Sequence, residues 1–277
     1  MSISINTNLS ASTARRHISR TDREMNKRLK SMASALRINQ AADDAAGMAI
    51  SEGMRSRERG SSQAIRNLQD GVSMIQTAEG GAAQVQSNLQ RMRELSLQSA
   101  NDTMGPQERE AIQAEVSQLS EEINRLTDTV QFNDKQLLSG DISSESGGAV
   151  LHAGASRDET VTLEVEAMDT ETLDVADIDV TTREGANQAL EMLSGAINQV
   201  STERAGMGSV QNRIEGTIDF LQIQRENQLA SESQIRDADL AAESTELATQ
   251  RVLTQSGTAV LGQANNLHSS SAMNLLG

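Results

Sequence analysis

Apolar residues near the start of this chain recur at spacings of three, four and seven. Ala11, Ala14, Ile18, Met25, Leu29, Met32 and Leu36 form the stripe. A stripe of this period is one face of an α-helix, and it has to be buried against something. The stretch "ADDAAGMAI" (42–50) interrupts it. The period resumes at Ile65 and continues through Leu68, Val72, Ile75, Ala78, Ala82, Val85, Leu89 and Met92. It keeps phase through Gly80-Gly81, which predicts one continuous helix over about 57–101, roughly 65–70 Å long. Pro106 follows, suited to the first position of a new helix. Ile112, Val116, Leu119, Ile123, Leu126 and Val130 then alternate by four and three.

The period changes in the middle of the chain. In "VTLEVEA", Val161, Leu163 and Val165 alternate with polar residues, which is the pattern of a strand. "DIDV" at 177–180 alternates as well, and "GASRD" at 154–158 reads as a turn between strands. Helical spacing returns with Ala186, Leu190, Leu193, Ile197 and Val200, then Met207, Val210, Ile214, Ile218 and Leu221. A last stretch places Leu240, Leu247, Leu253, Val260 and Leu267 near heptad spacing.

These stripes have little to bury them besides each other. There is no Trp or Tyr, and Phe132 and Phe220 are the only Phe, so a core must come from Leu, Ile, Val, Met and Ala. That favours thin helix packing, with apolar surface left for partner subunits. Residues 1–30 hold seven Lys or Arg against two acids, and residues 231–277 hold two Arg against five acids. The ends therefore carry opposite charge. The expected fold is mainly α: an elongated antiparallel helical bundle, its N- and C-terminal stretches paired as a coiled coil, with a small β element at the chain midpoint. The alternative for the ends is a pair of helical tails that order only on binding.

The same composition narrows the chemistry. No cysteine means no disulfide, thiolate metal site or thiol nucleophile. His17, His152 and His268 lie far apart in sequence, and nothing suggests that they converge. No cofactor and no enzyme activity are expected. A net charge of −15 argues against nucleic acid as a main partner. No apolar run approaches the length of a membrane span, so no membrane insertion is expected. "MSISINTNLSAS" lacks the apolar core of a secretory signal, so a cleaved leader is not expected. Residues 141–180 hold eleven acids against one Arg. So dense a charge belongs in solvent rather than in a tight interface.

Four constellations could carry function. Asp43-Asp44 could be a pair of catalytic acids or cation ligands, but no further oxygen ligands follow at set spacing. An acid opening a helix is the simpler reading, and Asp237 and Asp239 read the same way before the last stripe. Gly206 and Gly208 lack the strand-then-loop context of a phosphate site. Since each costs about 1 kcal/mol in a helix, close approach of a neighbouring helix or a bend is their expected return. "LQRMRELSLQSAN" (89–101) sets Arg91, Arg93 and Glu94 among apolar residues, either as a solvated face with local ion pairs or as a contact patch for another chain.

Taken in order, several stretches closely resemble bacterial flagellin. They are "INTNLSA" at the start, "RINQAADDAAGMAISEGM", "IQTAEGGAAQVQSNLQRMRELSLQSAN", "IQAEVSQLSEEINRL" and "FNDKQLL". In the second half they are "INQVSTERAGMGSVQNRIEGTI", "SQIRDADLAAEST" and "VLTQSGTAVLGQAN". The resemblance covers roughly residues 1–140 and 185–277, leaves no room for large outer domains, and departs in the acidic middle and in the ending "SSSAMNLLG".

The resemblance implies a subunit that self-assembles into the hollow filament of the bacterial flagellum, an extracellular motility propeller. It implies an inner coiled-coil domain with its connector (1–45 with 236–277) and an outer helical rod domain (46–235) that includes the β element at 141–182. The terminal coiled coil would use Ile18, Met25, Leu29, Met32, Leu36, Leu247, Leu253, Val260 and Leu267. Asp43, Asp44 and Gly47 would form the connector, a joint rather than an active site. Arg91, Leu95 and Glu115 match a subunit-contact motif that also engages the vertebrate Toll-like receptor for flagellin. Further partners implied are the filament cap, the hook-associated junction proteins, an export chaperone and the flagellar type III export apparatus. A hook-filament junction protein would share the termini without the full central motifs. A chemoreceptor-type signalling coiled coil would replace the β segment with a helical hairpin tip.

Overall fold

The computed structural model describes residues 7–276, with the side chains of 271, 272 and 274–276 left aside. The reading of residues 1–6 as free of a leader, and the first residues of "INTNLSA", lie outside that span. Among the described residues five helices and two small hairpins follow one another: α1 (Leu9–Ser34), α2 (Ala45–Ser99), α3 (Pro106–Thr129), β1 (Gln131–Phe132), β2 (Lys135–Gln136), β3 (Ala149–His152), β4 (Thr160–Leu163), α4 (Arg183–Arg236) and α5 (Leu240–Leu276). The chain is mainly α, with its N- and C-terminal helices packed together and antiparallel strands between. It divides into two compact units. One joins Met1–Ser56 with Asn227–Gly277; the other is Arg57–Glu226.

The second unit holds the main core. α2, α3 and α4 supply aliphatic stripes that include Leu68, Ile75, Leu89, Met92, Ile123, Leu193, Val200 and Ile214. Aromatics contribute little: Phe132 is half-buried and Phe220 lies exposed. α2 is unbroken through its glycines, and three of them explain how the midpoint segment settles on it. A Cβ on Gly60 would sit 2.7 Å from Ala155, one on Gly71 2.3 Å from Leu151, and one on Gly81 2.8 Å from both Val130 and Leu138. Gly80, its neighbour in sequence, faces open space.

β1 and β2 form a hairpin in register Gln131–Gln136. Its turn residues Asn133 and Asp134 sit at φ 50° and 63°, the left-handed pair that a tight hairpin needs and that Asn and Asp tolerate. β3 and β4 pair antiparallel from Ala149–Leu163 to His152–Thr160, joined through the turn read from "GASRD". The hydrogen bonds continue past β4: Val165 donates to Ile142 and Met168 to Leu138, at 3.0 and 2.9 Å. The apolar residues of this segment (Val165, Met168, Leu173, Val175) are buried, while Glu164 on the alternate face is exposed.

Two expectations are corrected. "DIDV" at 177–180 is not a strand. Asp177 lies in a turn, and a side chain stands where a neighbouring strand would: the Gln113 amide donates to Ile178 O at 2.9 Å and accepts from Val180 N at 2.7 Å. The alternation is real, because Ile178 and Val180 are buried. No helix of this chain closely approaches Gly206 or Gly208, since a Cβ on either would meet nothing within 4 Å.

In the first unit α1 and α5 run antiparallel. Asn8 caps α1 by accepting from Ala11 N and also donates to Ala264 O at 3.2 Å. The side of α1 that faces α5 carries residues 11, 14, 18, 21, 25, 28 and 32; on α5 it carries 243, 247, 250, 254, 257, 261, 264 and 268. Both series alternate by three and four, the repeat of a coiled-coil seam.

Candidate functional site

The connector is built from the stretch that broke the first stripe. α1 ends at Ala35 in the left-handed region, φ 56°, which turns the chain toward the end of α4. Leu36 and Asp237 form an antiparallel bridge, with Arg37 N donating to Arg236 O at 2.7 Å and Ala238 N to Ala35 O at 3.0 Å. The Arg37 guanidinium donates to the carbonyls of Gln234 and Ile235. It thereby satisfies carbonyls that a helix end leaves without partners. Ile38 is buried beneath.

The two aspartates divide the remaining work. Asp43 Oδ2 accepts from the backbone N–H of Asn39 and Gln40, both at 3.2 Å, while Oδ1 pairs with Lys27 at 3.2 Å. Burial alone would raise its pKa. The Lys27 side chain and those two N–H groups outweigh it and hold the carboxyl below its ordinary value. Asp44 Oδ1 accepts from Ala46 N and Gly47 N at 3.1 and 3.0 Å, capping the start of α2. Gly47 leaves no room for more: a Cβ there would lie 2.4 Å from Asp44 Oδ2 and 2.7 Å from Ile38 Cδ1.

A charge network ties the two chain segments of this unit beside the connector. Arg236 pairs with Glu52 at 2.8 Å and Arg55 with Glu232 at 3.6 Å. The Arg236 hydrogen bond, against some burial and with help from Arg55, holds the Glu52 carboxyl low. These side chains bind each other and the backbone. Among the described residues, no cluster of His, Asp or Glu could hold a metal ion, and no helix is long and apolar enough to cross a membrane.

The terminal stripes divide. Ile18, Met25 and Met32 lie half-buried on the α1 seam, and Leu247 is buried on the α5 seam. Leu36 sits in the connector bridge and Leu29 turns outward. Leu253, Val260 and Leu267 are not in the seam at all. They are 50%, 54% and 60% exposed, and they keep their seven-residue spacing on a second stripe beside it. Leu240, one turn outside the connector, is exposed as well.

The arginine patch lies in the second unit. Arg91 on α2 reaches Glu115 on α3 through Nη2 at 2.8 Å and Nε at 3.2 Å, and Glu94 at 3.3 Å. Arg91 and Glu115 are exposed, but Leu95 is a core residue only 2% exposed. Leu97, the apolar neighbour that does face solvent, was not singled out by the sequence pattern. Counting apolar residues alone also passed over Arg37, Arg28 and Glu243. Arg28 was visible as the one charged residue in the three-four series between Met25 and Met32.

Comparison with known proteins decides the family. The bacterial flagellin N-terminal helical region matches residues 5–143, and the C-terminal helical region matches residues 190–276. The chain belongs to the bacterial flagellin family. The flagellar filament 33 kDa core protein of Treponema phagedenis is 40% identical over 273 residues, covering 94% of this chain and 96% of that protein. Flagellin of Halalkalibacterium halodurans is 42% identical over 263 residues, covering 94% and 95%. The crystal structure of Bacillus cereus flagellin aligns at 28% identity and a TM-score of 0.49, over 56% of this chain and 88% of its own. This flagellin is accordingly a structural subunit that polymerises with copies of itself into the flagellar filament, and not an enzyme. Nothing supports the junction-protein or signalling readings better.

Proposed function

We propose that this flagellin divides its work between an inner and an outer domain, with bounds inside and beyond those of the two compact units. The paired termini (1–45 with 236–277) form the inner layer of the filament, and residues 46–235 form the outer rod. Asp43, Asp44 and Gly47 are the joint between them. The observation that carries this reading is the second stripe on α5. Leu253, Val260 and Leu267 repeat every seven residues yet stay half or more exposed within one chain. A seven-residue apolar repeat left in water is the mark of a helix that packs on another chain. In the filament that chain is a neighbouring subunit.

The rest of the reading follows the family. The subunit leaves the cell through the flagellar type III export apparatus, held by a cytoplasmic chaperone. It adds beneath the filament cap above the hook-associated junction proteins, outside the cell. The acidic 141–180 segment faces solvent, since most of its large apolar residues, though not the exposed Val150, are spent on the core and Glu164 is exposed. Arg91 and Glu115 serve subunit contact and, in a vertebrate host, the Toll-like receptor for flagellin, with Leu95 supporting them from the core. In a receptor reporter assay Arg91→Ala is expected to signal weakly; full signalling would remove the receptor from this account.

Removal of residues 1–36 or 241–277 tests the division of labour. Electron microscopy and sedimentation are expected to show no filaments from either truncation, while circular dichroism shows α2, α3 and α4 still melting cooperatively. Normal polymerisation by either truncation would contradict it.

A further inference from the structure

We infer that Arg28, with Glu243 and Glu246, sets the register in which the two terminal helices pair. This deepens the inner-layer reading above and rests on it. The question of register arises because apolar contact does not answer it. On α1 the large apolar seam residues are Ile18, Met25 and Met32, seven apart. Sliding α1 by one heptad puts each where the next one stood. On α5 the seam holds only two large aliphatics, Leu247 and Leu261, among Gln, Thr, Gly, Ala and His. A slipped pair would bury almost as much apolar surface as the native one. Hydrophobic burial is non-directional, so beyond the Leu36–Asp237 bridge that anchors one end of the pair only polar contacts along the seam tell neighbouring registers apart.

The charged contact does discriminate. Arg28 occupies a seam position between Met25 and Met32. Its Nη1 meets Glu243 Oε1 at 2.9 Å, and its Nη2 pairs with Glu246. Glu243 is itself on the seam and only 7% exposed. In a register slipped by one heptad Glu243 would face Thr21 or Ala35 in place of Arg28 and lose the seam cation that now meets it. That costs far more than an exposed ion pair returns. A single charged or polar seam residue is the best-attested way for a coiled coil to fix register at some expense of stability. Gly257 marks the same alignment, since a Cβ there would sit 2.9 Å from Ile18 Cγ1.

The chain has no cysteine, so disulfide trapping in the full-length protein reports only pairs that are introduced. Ile18→Cys with Gly257→Cys reads the native register. Met25→Cys or Ala11→Cys with Gly257→Cys reads a slip of one heptad. Intrachain bonds are recognised as monomers on denaturing gels, so register is read whether or not filaments form.

With Arg28 and Glu243 intact, the native bond should exceed the slipped ones by about tenfold or more, the discrimination expected of a charge-assisted contact. In Arg28→Leu with Glu243→Leu, helix content should hold and the slipped bonds should rise to within a few-fold of the native one. Arg28→Glu with Glu243→Arg and Glu246→Arg should restore the native bond alone. If the leucine variant stays in the native register, apolar fit sets it and the inference fails. It fails equally if that variant traps no pair at all, because the contact would then be a stabiliser. A swapped variant that keeps its helix but does not recover the native bond also overturns it.

Discussion

At the scale of single residues, two neighbouring glycines should respond in opposite directions. Gly80 faces open space and Gly81 faces Val130 and Leu138. Gly80→Ala should gain about 1 kcal/mol from helix propensity. Gly81→Ala gains the same, but its methyl group forces two packed core side chains to move, which costs about 1–3 kcal/mol. Thermal melts should show Gly80→Ala above the wild-type midpoint and Gly81→Ala at or below it. Asp43 supplies a pH test. Its carboxyl is held low in the fold, so its stabilising effect is complete above the ordinary carboxylate value of about 3.9 and fades as pH falls through the lower folded value. Asp43→Asn carries no such charge at any pH. Amide exchange over residues 36–47 should be slower in wild type than in Asp43→Asn near neutrality, and the difference should vanish in strong acid.

At the scale of elements, Gln113 does the work of a strand. Its amide pairs with both Ile178 O and Val180 N from a helix. Gln113→Ala would strand two backbone groups beside a buried segment, at about 1–3 kcal/mol for each group that water cannot reach. The second unit should melt several degrees lower, while Gln113→Glu, which keeps only the acceptor, should fall between. The same contact shows what the sequence could and could not convey. Helix periods, Pro106 and the midpoint strand pattern were legible because each is local. The alternation at 177–180 was legible too, but it records burial and not what fills the hydrogen bonds, and a distant glutamine left no trace in it. Asn133-Asp134 did carry the hairpin signal between two short runs, and an apolar count overlooks it. On α5 the leucine and valine heptads were legible as a stripe. Their face was not, because Glu243, Gln250, Thr254 and Gly257 take the seam within the chain and an apolar count gives such residues no weight. The Arg91 motif was legible in sequence, but Leu95 packs inward while Leu97 faces out.

At the scale of the whole molecule, a single chain leaves apolar surface that copies of itself can cover. Its second unit has a closed aliphatic core. Its terminal helices pair through a seam of mostly small and polar residues and leave larger apolar side chains outside. The most direct test is sedimentation of the variant Leu253→Ser, Val260→Ser, Leu267→Ser. None of the three lies in the seam, so circular dichroism of the monomer should match wild type. Completing the burial of each half-exposed side chain is worth about 1 kcal/mol. Losing all three should raise the concentration needed for filaments by about a hundredfold. Pelletable filament at the wild-type concentration would contradict the claim that this outer stripe is where one subunit packs on the next.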